Sequence, residues 1–166
     1  MIVGLSNKYV NKLCKDLTSD YYLGTFVCDK LPTKSIISRM KRETIFALII
    51  NLSPSHHTGT HFVCISYRQN KLVLFDSLGL PYEDPNIKKL VKTLKKHKDF
   101  TFRKLRVPIQ SPESLACGFF CIAYILNQSK NEESPDKFTS IFFKESSMLK
   151  FNDRICILYI KKFINF

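Results

Sequence analysis

An α+β fold, with a central mixed sheet flanked by helices, is predicted from three features of the chain. Four short segments rich in β-branched and aromatic residues recur through its middle, segments with helical apolar spacing stand near both ends, and a wholly apolar helix follows a proline-punctuated loop. At 166 residues, 45% hydrophobic and 24% charged, the chain suits one domain, residues 1–166, with one substantial core.

The elements follow in order. In SNKYVNKLCKDLT, Ser6 is a helix N-cap and Tyr9, Val10, Leu13, Cys14 and Leu17 form the apolar stripe behind it. TIFALIIN (44–51), HFVCISY (61–67), KLVLF (71–75) and FTFRKLRV (100–107) read as strands. Between the last two, Asp84 caps a helix whose first residue is Pro85 and whose stripe is Ile87, Leu90, Val91 and Leu94. That helix, 85–97, carries Lys88, Lys89, Lys92, Lys95 and Lys96 around its polar side, with Lys98 close behind. A buried helix starts near Cys117, and a last one runs from about Asn152 to the end with Ile155, Tyr159, Ile160 and Phe163 inward.

Composition narrows the function. Purely apolar runs such as Ile45 to Ile50 are far too short to span a bilayer, and no membrane partner is expected. MIVGLSNKYV has no secretory pattern, so the protein is expected to work inside a cell, with its six cysteines reduced. A net charge of +12 favours contact with polyanions, although a lysine-rich helix face is ordinarily just solvated.

The chemistry is carried by two stretches. A tight turn at Tyr67-Arg68-Gln69-Asn70 makes residues 61–75 a hairpin, and a two-residue loop at Arg68-Gln69 sets His61 opposite Asp76. A bulged three-residue loop shifts that register but keeps the pair close. Val63, Ile65, Leu72 and Leu74 share the face and exclude water from one side of it. An Asp beside a His fixes its tautomer and stabilises the imidazolium. PIQSPESLACGFFCIAY (108–124) then supplies a nucleophile, since Cys117 stands at a helix N-terminus, where the dipole and a nearby imidazolium favour thiolate. Gly118 suits a crowded backbone and close substrate approach, and Gln110 offers an amide for an oxyanion beside the Cys117 N–H. Cys121, one turn deeper, is assigned to the core, as are Cys14, Cys28, Cys64 and Cys156. Zinc held by His56, His57, His61 and Cys64 with Cys117 and Cys121 is the rival reading. It is set aside because His61 and Cys64 alternate to opposite faces of a strand, so no metal is expected.

These stretches resemble the adenain family of viral maturation proteases. The likeness rests on GTHFVCISYRQNKLVLFDSLG followed by PIQSPESLACGFFC, and extends to YYLGTFVCDKLP and to SSML before the closing helix. It implies a papain-like, adenain-like cysteine protease fold with the nucleophile at the N-terminus of a buried helix. It also implies roles: His61 as general base and acid, Asp76 as its orienting carboxylate, Gln110 as oxyanion donor and Cys117 as nucleophile. Viral precursor polypeptides would be cut at small, Gly-containing motifs during virion maturation, in the host nucleus and the virion, by a monomer. No cofactor enters the chemistry, while DNA and a basic viral peptide are implied activators, with Lys88, Lys89, Lys92, Lys95 and Lys96 as the DNA-binding face. The sequence departs from the family in three places: Phe62 replaces a Trp, Asp76 replaces a Glu, and no cysteine between Cys64 and Cys117 is present to link an activating peptide. Asp is the choice in the related SUMO-specific proteases, so the role of Asp76 survives the change. Removal of ubiquitin-like modifiers, whose Gly-Gly termini suit the same narrow cleft, is one alternative, on fold analogy alone; a non-enzymatic basic nucleic-acid-binding domain is the other.

Overall fold

The computed structural model describes residues 4–55, 61–81, 84–130 and 134–164. Its elements run α1 (Asn7–Thr18), β1 (Tyr22–Val27), α2 (Thr33–Lys41), β2 (Phe46–Asn51), β3 (Phe62–Arg68), β4 (Lys71–Asp76), α3 (Pro85–Lys95), β5 (Thr101–Arg106), α4 (Cys117–Lys130), α5 (Pro135–Thr139) and α6 (Leu149–Lys161). The strands form one five-stranded mixed sheet in the order β1-β2-β3-β4-β5. The β1–β2 and β4–β5 pairs are parallel and the two pairs involving β3 are antiparallel, so β3 alone opposes the rest.

That topology decides which face each helix covers. The two parallel pairs are joined through α2 and α3, and both joins step the same way across the sheet. Crossovers of one hand therefore place both helices on one face. Ile36 and Met40 of α2 and Ile87, Leu90, Val91 and Leu94 of α3 accordingly share a core with Leu48, Ile50, Val63, Ile65 and Leu72. The other face belongs to α4, which is apolar on nearly every side and buried from Phe120 through Gln128, as befits a helix with neighbours all round. Tyr124 stacks on Phe75 of β4 at 4.6 Å between ring centroids, and its hydroxyl meets Ser66 Oγ at 2.9 Å. α1 and α6 close over α4 through Val10, Cys14, Cys156 and Ile160. Central β2 and β3 are therefore covered on both faces, which is why FALIIN and FVCISY are almost continuously apolar.

Several local expectations meet their atoms. Asp84 Oδ1 accepts the Asn86 and Ile87 N–H groups at 2.8 and 3.1 Å, a cap worth about 1 kcal/mol. Ser6 Oγ accepts the Tyr9 N–H at 3.3 Å, but Tyr9 itself is about half exposed and leaves the α1 stripe to Val10 and Cys14. α3 ends at Lys95, and Lys98 beyond it pairs with Glu43 at 3.0 Å. α6 begins at Leu149, earlier than the spacing of its apolar residues suggests.

The hairpin register differs from expectation. Gln69 and Asn70 both have positive φ, 48° and 58°, and form the two-residue turn, so Arg68 pairs with Lys71. The turn needs left-handed backbone at both central positions, and Asn tolerates this better than Arg. Asn70 Oδ1 also accepts the Tyr67 hydroxyl at 2.8 Å. The resulting pairing is displaced by two residues from one centred on Arg68-Gln69. An even displacement keeps every side chain on its predicted face.

Candidate active site

His61, immediately before β3, and Asp76, the last residue of β4, lie at the same end of the sheet. With the observed register they are diagonal rather than directly opposite neighbours, still within reach of two side chains. His61 Nε2 meets Asp76 Oδ1 at 2.7 Å, and both side chains are at most a tenth exposed. The carboxylate is pinned from its other side: Oδ1 accepts the Leu78 N–H at 3.0 Å and Oδ2 the Leu80 N–H at 3.1 Å. A tight reversal after β4 turns those amides inward. Gly79 in that turn has a φ of +64°, and a Cβ there would stand 2.9 Å from the backbone nitrogen of Pro108. Gly79→Ala is therefore expected to destabilise the protein by about 1–3 kcal/mol in denaturant titration and to lower activity with it, because the turn holds Asp76.

Cys117 is the first residue of α4 and stands close enough to His61 for its side chain to act on the ring alongside that of Asp76. Burial pushes the imidazolium of His61 down, but hydrogen bonds to Asp76 and Cys117 and the negative charge of both push it further up, to about 9. The buried ring is thus arranged to hold a proton beside the Cys117 side chain.

Gln110 is about 1% exposed and held on three sides. Its own N–H, like that of Ile109, donates to the Ser77 carbonyl; its Oε1 accepts the Ser77 hydroxyl at 2.6 Å; its Nε2 donates to the Ser114 carbonyl at 2.8 Å. A carbonyl can only accept, so the amide nitrogen must face Ser114, and its second N–H remains to point elsewhere. Gly4, Leu5, His61, Phe62, Leu78, Gln110 and Cys117 all line one cleft of about 180 Å³. The sequence therefore named the four groups that converge, while it gave no signal for Ser77 and Ser114, whose hydrogen bonds orient Gln110.

Other expectations fall differently. A Cβ on Gly118 would meet Val10 Cγ2 at 3.2 Å and Leu5 Cβ at 3.4 Å, so its crowding is against α1 and the segment before it rather than against substrate. Cys121 is fully buried as a free thiol, and burial, with Cys64 beside it, drives that thiol well above the ordinary range. His56 and His57 lie outside the described residues, and among the described residues no group of three His, Cys, Asp or Glu side chains is placed to hold a metal. Lys88, Lys89, Lys92 and Lys95 are exposed on α3 and Lys96 at its C-cap, and the helix covers the face of the sheet opposite α4. A second cavity of about 200 Å³ lies there, between α3 and β5, lined by Leu74, Ile87, Val91 and Phe102. Asp84, Lys88, Lys104 and Arg106 also line it but no thiol does, whereas His61, Gln110 and Cys117 meet at the other cleft.

No family model matches the chain. It is 25% identical over 136 residues to the protease of human adenovirus B serotype 3, a match covering 74% of this chain and 61% of that protein. The chain thus spans about three-fifths of the length of that relative. The crystal structure of the ASFV pS273R protease is 25% identical with a TM-score of 0.43, over 66% of this chain and 43% of that one. ChlaDub1 from Chlamydia trachomatis superposes with a TM-score of 0.60 at 14% identity, over 96% of this chain and 93% of that one. The fold is thus one that ChlaDub1 shares over nearly its whole length. Within this fold the helix that opens on Cys117 is the central one, and the strand ends that carry His61 and Asp76 abut its N-terminus.

Proposed function

We infer that this chain is a cysteine endopeptidase that cuts viral precursor polypeptides at small, Gly-containing motifs during virion maturation. The observation that carries the reading is the convergence of His61, Gln110 and Cys117 on one cleft, with His61 held by Asp76 at 2.7 Å. Sequence likeness to an adenovirus protease supports it.

The chemistry follows from the placement. The Cys117 thiolate attacks the scissile carbonyl carbon, and the developing oxyanion takes hydrogen bonds from the spare Gln110 N–H and the Cys117 N–H. That backbone N–H is one of the first-turn donors with no acceptor within its helix. As the tetrahedral intermediate collapses, the C–N bond breaks and the imidazolium of His61 gives its proton to the leaving amine. Water then attacks the thioester with His61 as base, releasing the acid and restoring the thiolate–imidazolium pair. Asp76 holds the ring through Nε2, which leaves Nδ1 for the thiol and the leaving group.

The lysine face of α3 fits a sequence-independent track on DNA, in the host nucleus and the virion. It sits away from the cleft, so bound DNA would leave the site open. A basic activating peptide would have to bind without a disulfide, for want of a cysteine between Cys64 and Cys117. The test is cleavage of a peptide library with and without duplex DNA at rising salt. Cuts after Gly-containing motifs are expected, with a DNA enhancement that fades steeply as salt increases. Cleavage confined to the C-terminal Gly-Gly of ubiquitin-like fusions would favour a deconjugating protease instead. No turnover, with Cys117 inert towards an electrophile, would leave only the non-enzymatic reading.

A further inference from the structure

Two adjacent residues of α6 reach into the loop that carries the oxyanion donors. Asn152, fully buried, donates from Nδ2 to the Ile109 and Phe143 carbonyls, each at 2.8 Å, and its Oδ1 accepts the Phe143 N–H at 3.0 Å. Its hydrogen-bonding groups are consumed in tying the loop to the fold. Asp153 is used differently. Its Oδ2 accepts the Ser114 hydroxyl at 2.6 Å, while its Oδ1 is buried without a hydrogen-bond partner among the described residues.

A carboxylate can only accept, so it fixes where the Ser114 proton points. The Ser114 oxygen must then turn a lone pair to the backbone, and it accepts the Ala116 N–H at 3.0 Å. The carbonyl of the same residue holds Gln110 Nε2 at 2.8 Å. Ser114 therefore joins the two oxyanion donors: one of its acceptors fixes the Gln110 amide, the other fixes the Leu115–Ala116 peptide, one before the peptide that carries the Cys117 N–H. Burial works against a charge at Asp153, and the Ser114 bond offsets it only in part. A half-buried carboxylate with one unpartnered oxygen is an unfavourable way merely to pack a helix against a loop.

We propose that Asp153 is a positioning residue for the oxyanion donors, acting through Ser114 on Gln110 and on the N–H of Cys117. The proposal rests on the cysteine-peptidase reading of the site. What it requires of residue 153 is an acceptor facing Ser114, which a carboxamide oxygen also supplies; the charge is dispensable.

The experiment compares Asp153→Ala, Asp153→Asn, Ser114→Ala and the Asp153→Ala/Ser114→Ala pair by two readouts, steady-state peptide hydrolysis and the rate at which iodoacetamide alkylates Cys117. Alkylation displaces iodide at a tetrahedral carbon and develops no oxyanion, so it reports the thiol and His61 without the oxyanion donors. Asp153→Ala is expected to lower kcat about tenfold, less than outright loss of a donor, with KM and the alkylation rate within about twofold of wild type. Asp153→Asn should recover kcat to within about threefold, and the double variant should be no worse than Ser114→Ala, because both changes break one linkage. An unchanged kcat in Asp153→Ala, an Asn variant as slow as Ala, or alkylation that falls in step with kcat would each overturn the proposal. Wild-type protein that neither cleaves peptides nor alkylates at Cys117 would instead overturn the peptidase reading.

Discussion

Cys117→Ala is expected to reduce kcat/KM by roughly a millionfold, to background, while the protein stays folded. With Cys117 as the proposed nucleophile, no nearby thiol can take its place. Cys121 is the next thiol along the helix, but it is fully buried against Cys64 and its thiol is driven well above the ordinary range, so it neither reaches substrate nor ionises. Stability should change by about 1 kcal/mol or less, because only a sulfur at a cleft wall is lost. The substitution should also mark the charge state of the site. His61 is raised to about 9 partly by its bond to Cys117 and by the charge there, so in Cys117→Ala its titration should move down towards 6.5. NMR titration of the His61 ring in both proteins checks this, and an unmoved ring would show that the thiolate does not hold that proton. The same shift sets the alkaline side of the wild-type profile. A group whose pKa rises on folding adds stability that is complete below its unfolded value and is lost as pH climbs to the folded one. Between about pH 6.5 and 9 stability should therefore decline while the folded ring keeps its proton, and activity should fall only as pH rises through about 9.

What could be read from the chain before its structure was known follows a physical division. Asp84-Pro85 and Ser6 are local signals, each acting on amides two or three residues away, and both act as read. The His61–Asp76 pair was legible although the turn was misplaced, because period-2 alternation tolerates an even shift and the apolar faces were unambiguous. β1 escaped notice because Gly24 and Thr25 interrupt it and its register slips between Tyr22 and Thr25, which erases alternation. α2 escaped because only Ile36 and Met40 are buried, too few apolar positions to set a period in nine residues. Gln110 and Cys117 could be named from their residue types, but not how they are held. Ser77 lies 33 residues from Gln110 and Asp153 lies 39 from Ser114, and contacts across such separations leave no local pattern. Asn152 even misled: it reads as a helix start, yet it sits inside α6 with its amide spent on the loop before Cys117.

Asp76→Asn is expected to cost on the order of 10³ in kcat/KM, a large loss for an exchange of one oxygen for nitrogen. Three donors converge on this side chain: the His61 ring, the Leu78 N–H and the Leu80 N–H. A carboxylate accepts all three on two oxygens. A carboxamide has one oxygen, so whichever way it is turned its NH₂ confronts a donor. If that group faces the Leu80 amide, a backbone N–H is left unpaired and the turn through Gly79 loosens. If it faces His61, the ring is driven into the tautomer with its proton on Nδ1, beside a thiol it can no longer deprotonate. Both arrangements also remove the negative charge that helps raise His61 to about 9, so the alkaline limb of activity should move to lower pH. A pH–rate profile for Asp76→Asn separates these effects from a plain folding defect, which would lower activity equally at every pH. An Asn variant within a few-fold of wild type, with an unmoved alkaline limb, would mean that Asp76 holds the turn but does not tune the base.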